Sequence, residues 1–179
     1  MRFRAANAWD DLPPVPVVGA RLGATAPTLR TFTGDIEQYT FDATNDYIIG
    51  ATELIHSYQQ GSDVEAHVHW TPNGTDGTDR YVRFQMKYSL LVPMQAATAQ
   101  ATITTGDILI PAGTASLTEF VNSFTTLIPG TNLVIGAYIV FRFERIAAVG
   151  TAPSNEPFVI AVGFHARMDS TGSAERYIK

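Results

Sequence analysis

Between residues 81 and 91 the chain alternates strictly, with Tyr81, Arg83, Gln85, Lys87 and Ser89 interleaved by Val82, Phe84, Met86, Tyr88 and Leu90. Side chains of an extended chain point to opposite faces in turn, so this run predicts a strand with one face buried and one solvated. Further runs rich in Val, Ile, Thr and aromatic residues span 47–57, 64–71, 101–110, 117–128, 133–146 and 158–169, as pleated surfaces favour. They are separated by Gly, Pro, Asn and Asp clusters, and together they predict about eight strands. The best helical candidate, 116–125, alternates as well as it cycles and is assigned to strand. No stretch carries the apolar spacing and caps of a helix. The fold class predicted is all-β: an antiparallel β-sandwich or jelly roll. The connector from Thr71 to Asp79 contains Asn73-Gly74 and Asp76-Gly77, residues that accept positive φ, and it is expected to close a hairpin between antiparallel neighbours.

The first thirty residues read differently. Pro13, Pro14, Pro16 and Pro27 fix φ and bias their predecessors to extended backbone, so residues 1–30 are expected to form an extended arm and 31–179 the sandwich domain. Trp9, Leu12, Val15, Val17 and Val18 give this arm more apolar surface than a solvated linker carries. They are the expected assembly residues, seated either on the chain's own domain or on a neighbouring subunit.

Composition narrows the partners. Charged residues make up 16% of the 179, against roughly 25% in ordinary soluble domains, which fits a surface partly covered by neighbours because interface charges must be desolvated. A net charge of −5 with only 12 Lys and Arg argues against direct nucleic-acid binding. Without cysteine there is no disulfide framework and no thiolate chemistry. No segment reads as a signal peptide or membrane helix, so the expectation is a soluble product of the cytoplasm with no membrane partner.

The sharpest chemical feature is His67-Val68-His69, two histidines on one face of a predicted strand, preceded by Gly61. Such a pair can chelate a metal. The run resembles the first half of the cupin motif, but the positions that hold the cupin glutamate are Asn73 and Gly74, and the later Pro-x-Gly and His element is missing. His165 lies on the face opposite Phe164 and shares it with Arg167, a cation that disfavours a metal. If its strand neighbours 64–71, the three histidines converge. A cupin-like metal-dependent enzyme using His67, His69 and His165 is therefore the alternative reading, and a carbohydrate-binding sandwich with Tyr58, Trp70 and Tyr81 as platform is a third. Asp76 and Asp79 are candidate calcium ligands in a Gly-rich loop. No Gly-x-Ser-x-Gly elbow or phosphate-cradling loop occurs. No enzyme activity, catalytic residue, metal or cofactor is expected.

Trp9-Asp10-Asp11-Leu12, His67-Val68-His69-Trp70, Gly163-Phe164-His165 and Asp169-Ser170-Thr171-Gly172-Ser173, taken in this order, resemble a family of small virion structural proteins of tailed bacteriophages. Ala66 stands where that family has proline. The resemblance implies a β-sandwich subunit of the particle, a head-decoration, fibre or collar component without catalytic residues. It would be made in the host cytoplasm, would assemble as a homo-oligomer, expected to be a trimer, and would contact other virion proteins such as the major capsid protein.

Overall fold

A computed structural model of the chain describes residues 8–44 and 46–170; the first seven residues of the expected arm and most of the closing Asp-x-x-Gly-Ser segment lie outside them. Among the described residues thirteen strands form two antiparallel sheets: β1 (Trp9–Asp11), β2 (Val15–Pro16), β3 (Arg21–Leu22), β4 (Thr28–Thr33), β5 (Ile36–Thr40), β6 (Tyr47–Glu53), β7 (Val64–Thr71), β8 (Arg80–Leu91), β9 (Ala101–Thr104), β10 (Ile108–Ile110), β11 (Phe120–Ser123), β12 (Tyr138–Ile146) and β13 (Phe158–Arg167). The first sheet runs β11-β7-β13-β5-β4, with β1 and β2 also on β13. The second runs β10-β8-β12-β6-β3, with β9 on β8. An all-β sandwich is thus the fold.

Alternation does what the sequence predicts in the long strands. Val82, Phe84 and Met86 of β8 and Ile139, Phe141 and Phe143 of β12 face the interlayer core, against Val68, Trp70, Val162 and Phe164 of the first sheet. Aromatic rings meet across the layers, Trp70 beside Phe84 at 5.7 Å and Phe141 beside Phe164 at 5.4 Å, while Phe84 stacks on Phe143 within the second sheet at 5.4 Å. Shorter elements depart from expectation. The run 101–110 splits into β9 and β10 where Gly106 turns the chain at φ +71°. The run 117–128 keeps only β11, since Leu117 sits in the left-handed region at φ 63° and cannot extend the strand.

The hairpin expected between 64–71 and 81–91 does not form. β7 lies in the first sheet and β8 in the second, so the connector crosses between layers. With eight residues between Thr71 and Arg80 it is long enough to span them, and it is fastened to other loops rather than closed on itself. Asp76 pairs with Arg80 at 3.2 Å and accepts hydrogen bonds from Ser154, and Asp79 accepts the amide of Ala112 at 2.9 Å. The two carboxylates proposed for calcium are therefore spent as loop fasteners.

The N-terminal segment laces the layers together. β1 and β2 pair with β13 in the first sheet, and β3 then pairs with β6 in the second. Such two- and three-residue edge strands suit a proline-rich chain, because proline is tolerated where no inner ladder bond is required. Leu12 and Val17 are fully buried in the core, Val15 is half-buried, and Trp9 and Val18 remain exposed. Leu12 and Val17 are thus seated on the chain's own domain. The expected boundary at residue 30 falls inside β4.

Candidate functional site

His67 and His69 share the outer face of β7 with Glu65, while Ala66, Val68 and Trp70 point inward. The antiparallel register sets what stands beside them. On β13, Gly163 lies opposite His67 and His165 opposite Glu65. On β11, Ser123 lies opposite His67 and Val121 opposite His69. On β1, Asp11 lies opposite His165 and Trp9 opposite Arg167. Strand 158–167 does neighbour 64–71, so the three histidines converge as the conditional reading required.

The ring centroids of His67 and His165 stack at 4.2 Å, and those of His67 and His69 meet edge to face at 5.1 Å. His165 Nε2 approaches Asp11 Oδ1 at 2.9 Å, and its Nδ1 faces Glu65 Oε1 at 3.5 Å. Glu65 also accepts the Ser123 hydroxyl at 2.7 Å, so that hydroxyl is turned to a carboxylate and not to an imidazole. His69 Nδ1 is held by Glu119 at 2.9 Å. The cluster opens into a pocket of about 210 Å³, lined also by Leu12 and Pro14.

His67 is the unusual member. It is only 4% exposed, and its Nδ1 is buried with no hydrogen-bond partner. Burial, reinforced by the neighbouring His165 and His69 and opposed by Asp11 and Glu65, lowers its pKa to about 4. The ring is therefore neutral at physiological pH. It lies flat against the β13 backbone because residue 163 is glycine: a Cβ there would stand 2.2 Å from His67 Nε2.

Among the described residues, Asp11, His67 and His165 are the group of histidine and carboxylate side chains whose ligand atoms all fall within 4.8 Å of one another. This is a different trio from the three histidines read from the sequence. Asp11 supplies the carboxylate that the cupin-like spacing lacks, and His69 is engaged with Glu119 instead. The cation that argued against a metal is drawn away, since the Arg167 guanidinium sits 5.1 Å over the Trp9 ring. Asp11 lies outward beside the core residue Leu12, a placement the short tetrapeptide Trp9-Asp10-Asp11-Leu12 does not reveal. Nothing in the sequence set that tetrapeptide beside His165 either. The proposed glycan platform is not available, because Tyr58 and Trp70 are fully buried, with the Trp70 indole N–H donating to Asn122 at 2.8 Å.

No family model and no curated protein matches this sequence.

Proposed function

We propose that the chain is a non-enzymatic structural subunit of a tailed-phage virion, a decoration, fibre or collar component that assembles as a homo-oligomer. The observation that carries the assembly part of this reading is the β4–β5 hairpin. Its strands pair with each other along their length, yet β5 reaches the body of the first sheet through a single pair, Phe158 with Thr40. Residues 28–37 are exposed except for Phe32, and they include Leu29 at 45% and Ile36 at 61%. A two-stranded ribbon in water is marginally stable, and β4 presents a free sheet edge of the kind that pairs with another chain unless it is covered. A neighbouring subunit supplies the missing cover. The phage assignment itself rests on the motif resemblance, with the low charge of the surface in its favour.

Light scattering on the full chain tests the assembly reading. The expected result is an oligomer, a trimer on the proposed stoichiometry, that dissociates when Ile36→Asp places a charge on the ribbon. A monomer at micromolar concentration would overturn it. Mass spectrometry of purified particles tests the virion assignment separately, and absence of the chain from particles would remove that assignment.

A further inference from the structure

We propose that Asp11, His67 and His165 bind a divalent first-row transition-metal ion, zinc-like in its preferences, which pins the N-terminal arm to the outer face of the first sheet. Two imidazoles and one carboxylate form a donor set that such ions accept, with remaining positions left for water or a further ligand. The three donors come from three different strands, β7, β13 and β1, brought together only by pairing.

Several independent features of the site point the same way. His67 is an almost wholly buried ring with an orphaned nitrogen, an arrangement that costs free energy unless something pairs with it. Gly163 leaves the space in which that ring lies. His165 already has the orientation of a metal-bound imidazole: one nitrogen faces Asp11 at 2.9 Å while the other faces Glu65 at 3.5 Å, and outer carboxylates of that kind fix the ring and raise its basicity as a ligand. Glu65 is steadied in turn by Ser123. Ligand bonds of roughly 2.0–2.2 Å bring donor atoms to about 3.3 Å from one another; the His165–Asp11 spacing is already that short, and all three donors lie within 4.8 Å of one another, so closure falls to a small shift of the His67 ring. Asp11 sits on an exposed three-residue strand held to β13 alone, and a shared ion would hold that strand far more firmly than its few ladder bonds.

The test is titration of the purified, chelator-stripped full chain with Zn²⁺, and with Co²⁺ as a spectroscopic reporter. The expected result is one ion per chain, a Co²⁺ visible spectrum typical of nitrogen and oxygen ligation, a rise in Tm on loading, and a change in Trp9 fluorescence as β1 tightens. Asp11→Asn, an exposed and near-isosteric change, should weaken binding at least tenfold with the circular dichroism spectrum unchanged, and His165→Ala should abolish it. His56→Ala, a change at an exposed histidine outside the group, should leave it intact. Failure to bind Zn²⁺ or Co²⁺ at micromolar concentration overturns the proposal. So does one-to-one binding that survives both Asp11→Asn and His165→Ala. Neither result bears on the oligomer measurement, so this inference and the assembly reading fail separately.

Discussion

The outer faces of the two sheets each carry a cluster of ionisable side chains, and the clusters differ in whether they are complete. On the second sheet Glu144 is almost wholly buried at the centre of Lys87, Arg142 and Gln85, with Lys87 Nζ at 2.8 Å and Gln85 Nε2 at 2.7 Å, and the Arg142 guanidinium stacks 3.7 Å above the Tyr47 ring. Burial opposes the charge on Glu144, but hydrogen bonds from Lys87, Arg142 and Gln85 outweigh it and hold the carboxyl below its ordinary value. On the first sheet His67 is equally buried, yet burial wins there and keeps the ring neutral. The same cost of desolvation therefore gives opposite outcomes according to whether partners are at hand. A complete cluster asks for nothing more, whereas one with an orphaned nitrogen has room for a ligand.

Acid should separate the two clusters most strongly. In metal-free protein His67 stays neutral down to about pH 4 while the unfolded chain takes up its proton near 6.5. Between those values the unfolded state binds more protons, so stability falls as pH falls, by at most about 3 kcal/mol. The charged and titratable groups that face the ring are Asp11 and Glu65, which oppose the shift, and His165 and His69, which reinforce it. Glu144 is shifted in the same direction but in its charged form: its stabilisation is present above the ordinary 4.5 of a glutamate and is lost as pH drops through its lowered value. Urea unfolding from pH 7 to pH 3 should therefore show two descending segments, and His67→Gln should flatten only the upper one. A single descent below pH 4.5 in both proteins would mean that His67 is not held neutral.

Breaking the complete cluster should cost somewhat less. Glu144→Gln leaves Lys87 and Arg142 facing each other without their shared anion. Removing one partner of a buried pair costs about 3–5 kcal/mol, but both cations here are a third exposed and can turn to water, which brings the expectation to about 2 kcal/mol by chemical denaturation. Gly163→Ala should follow at about 1–2 kcal/mol, the usual cost of overpacking, and it should also impair metal uptake because the new methyl displaces His67. Retention of both stability and uptake would show that the ring has freedom the stacked geometry does not suggest.

How much of this was legible beforehand depended on sequence distance. The long strands β7, β8 and β13 announced themselves through alternation, and with them the shared outward face of His67 and His69. The β4–β5 hairpin carries the two-residue signal Gly34-Asp35 between Thr33 and Ile36, but the positions that β5 buries are the polar Gln38 and Thr40, so no apolar alternation marks the strand. The Asn-Gly and Asp-Gly turn chemistry of 71–79 was read for its local geometry, but positive φ says that a chain turns and not which sheet it enters next. The partition of strands between layers is decided by packing. Asp11 illustrates the limit most clearly: its role arises from a three-residue strand pairing with residues more than 150 positions away, and no period can be read from three residues.

The smallest effect sharpens the boundary of the site. His69 and Glu119 form a 2.9 Å pair at the rim of the same pocket, with roughly a third of the imidazole and nearly two thirds of the carboxylate side chain exposed. Exposed pairs of this kind contribute about 0–1 kcal/mol because water screens them and both side chains lose freedom. Glu119→Gln should therefore change stability by no more than about 0.5 kcal/mol. Its value lies in what it does to the neighbouring trio. If Asp11, His67 and His165 are the ligands and His69 is only a neighbour, freeing the His69 ring leaves Zn²⁺ affinity within a factor of about two. A tenfold rise in affinity would show instead that the released imidazole swings in as a fourth donor, and that Glu119 normally holds it out. Measuring both numbers on one variant decides whether the cluster ends at His67 or extends one residue pair further along β7.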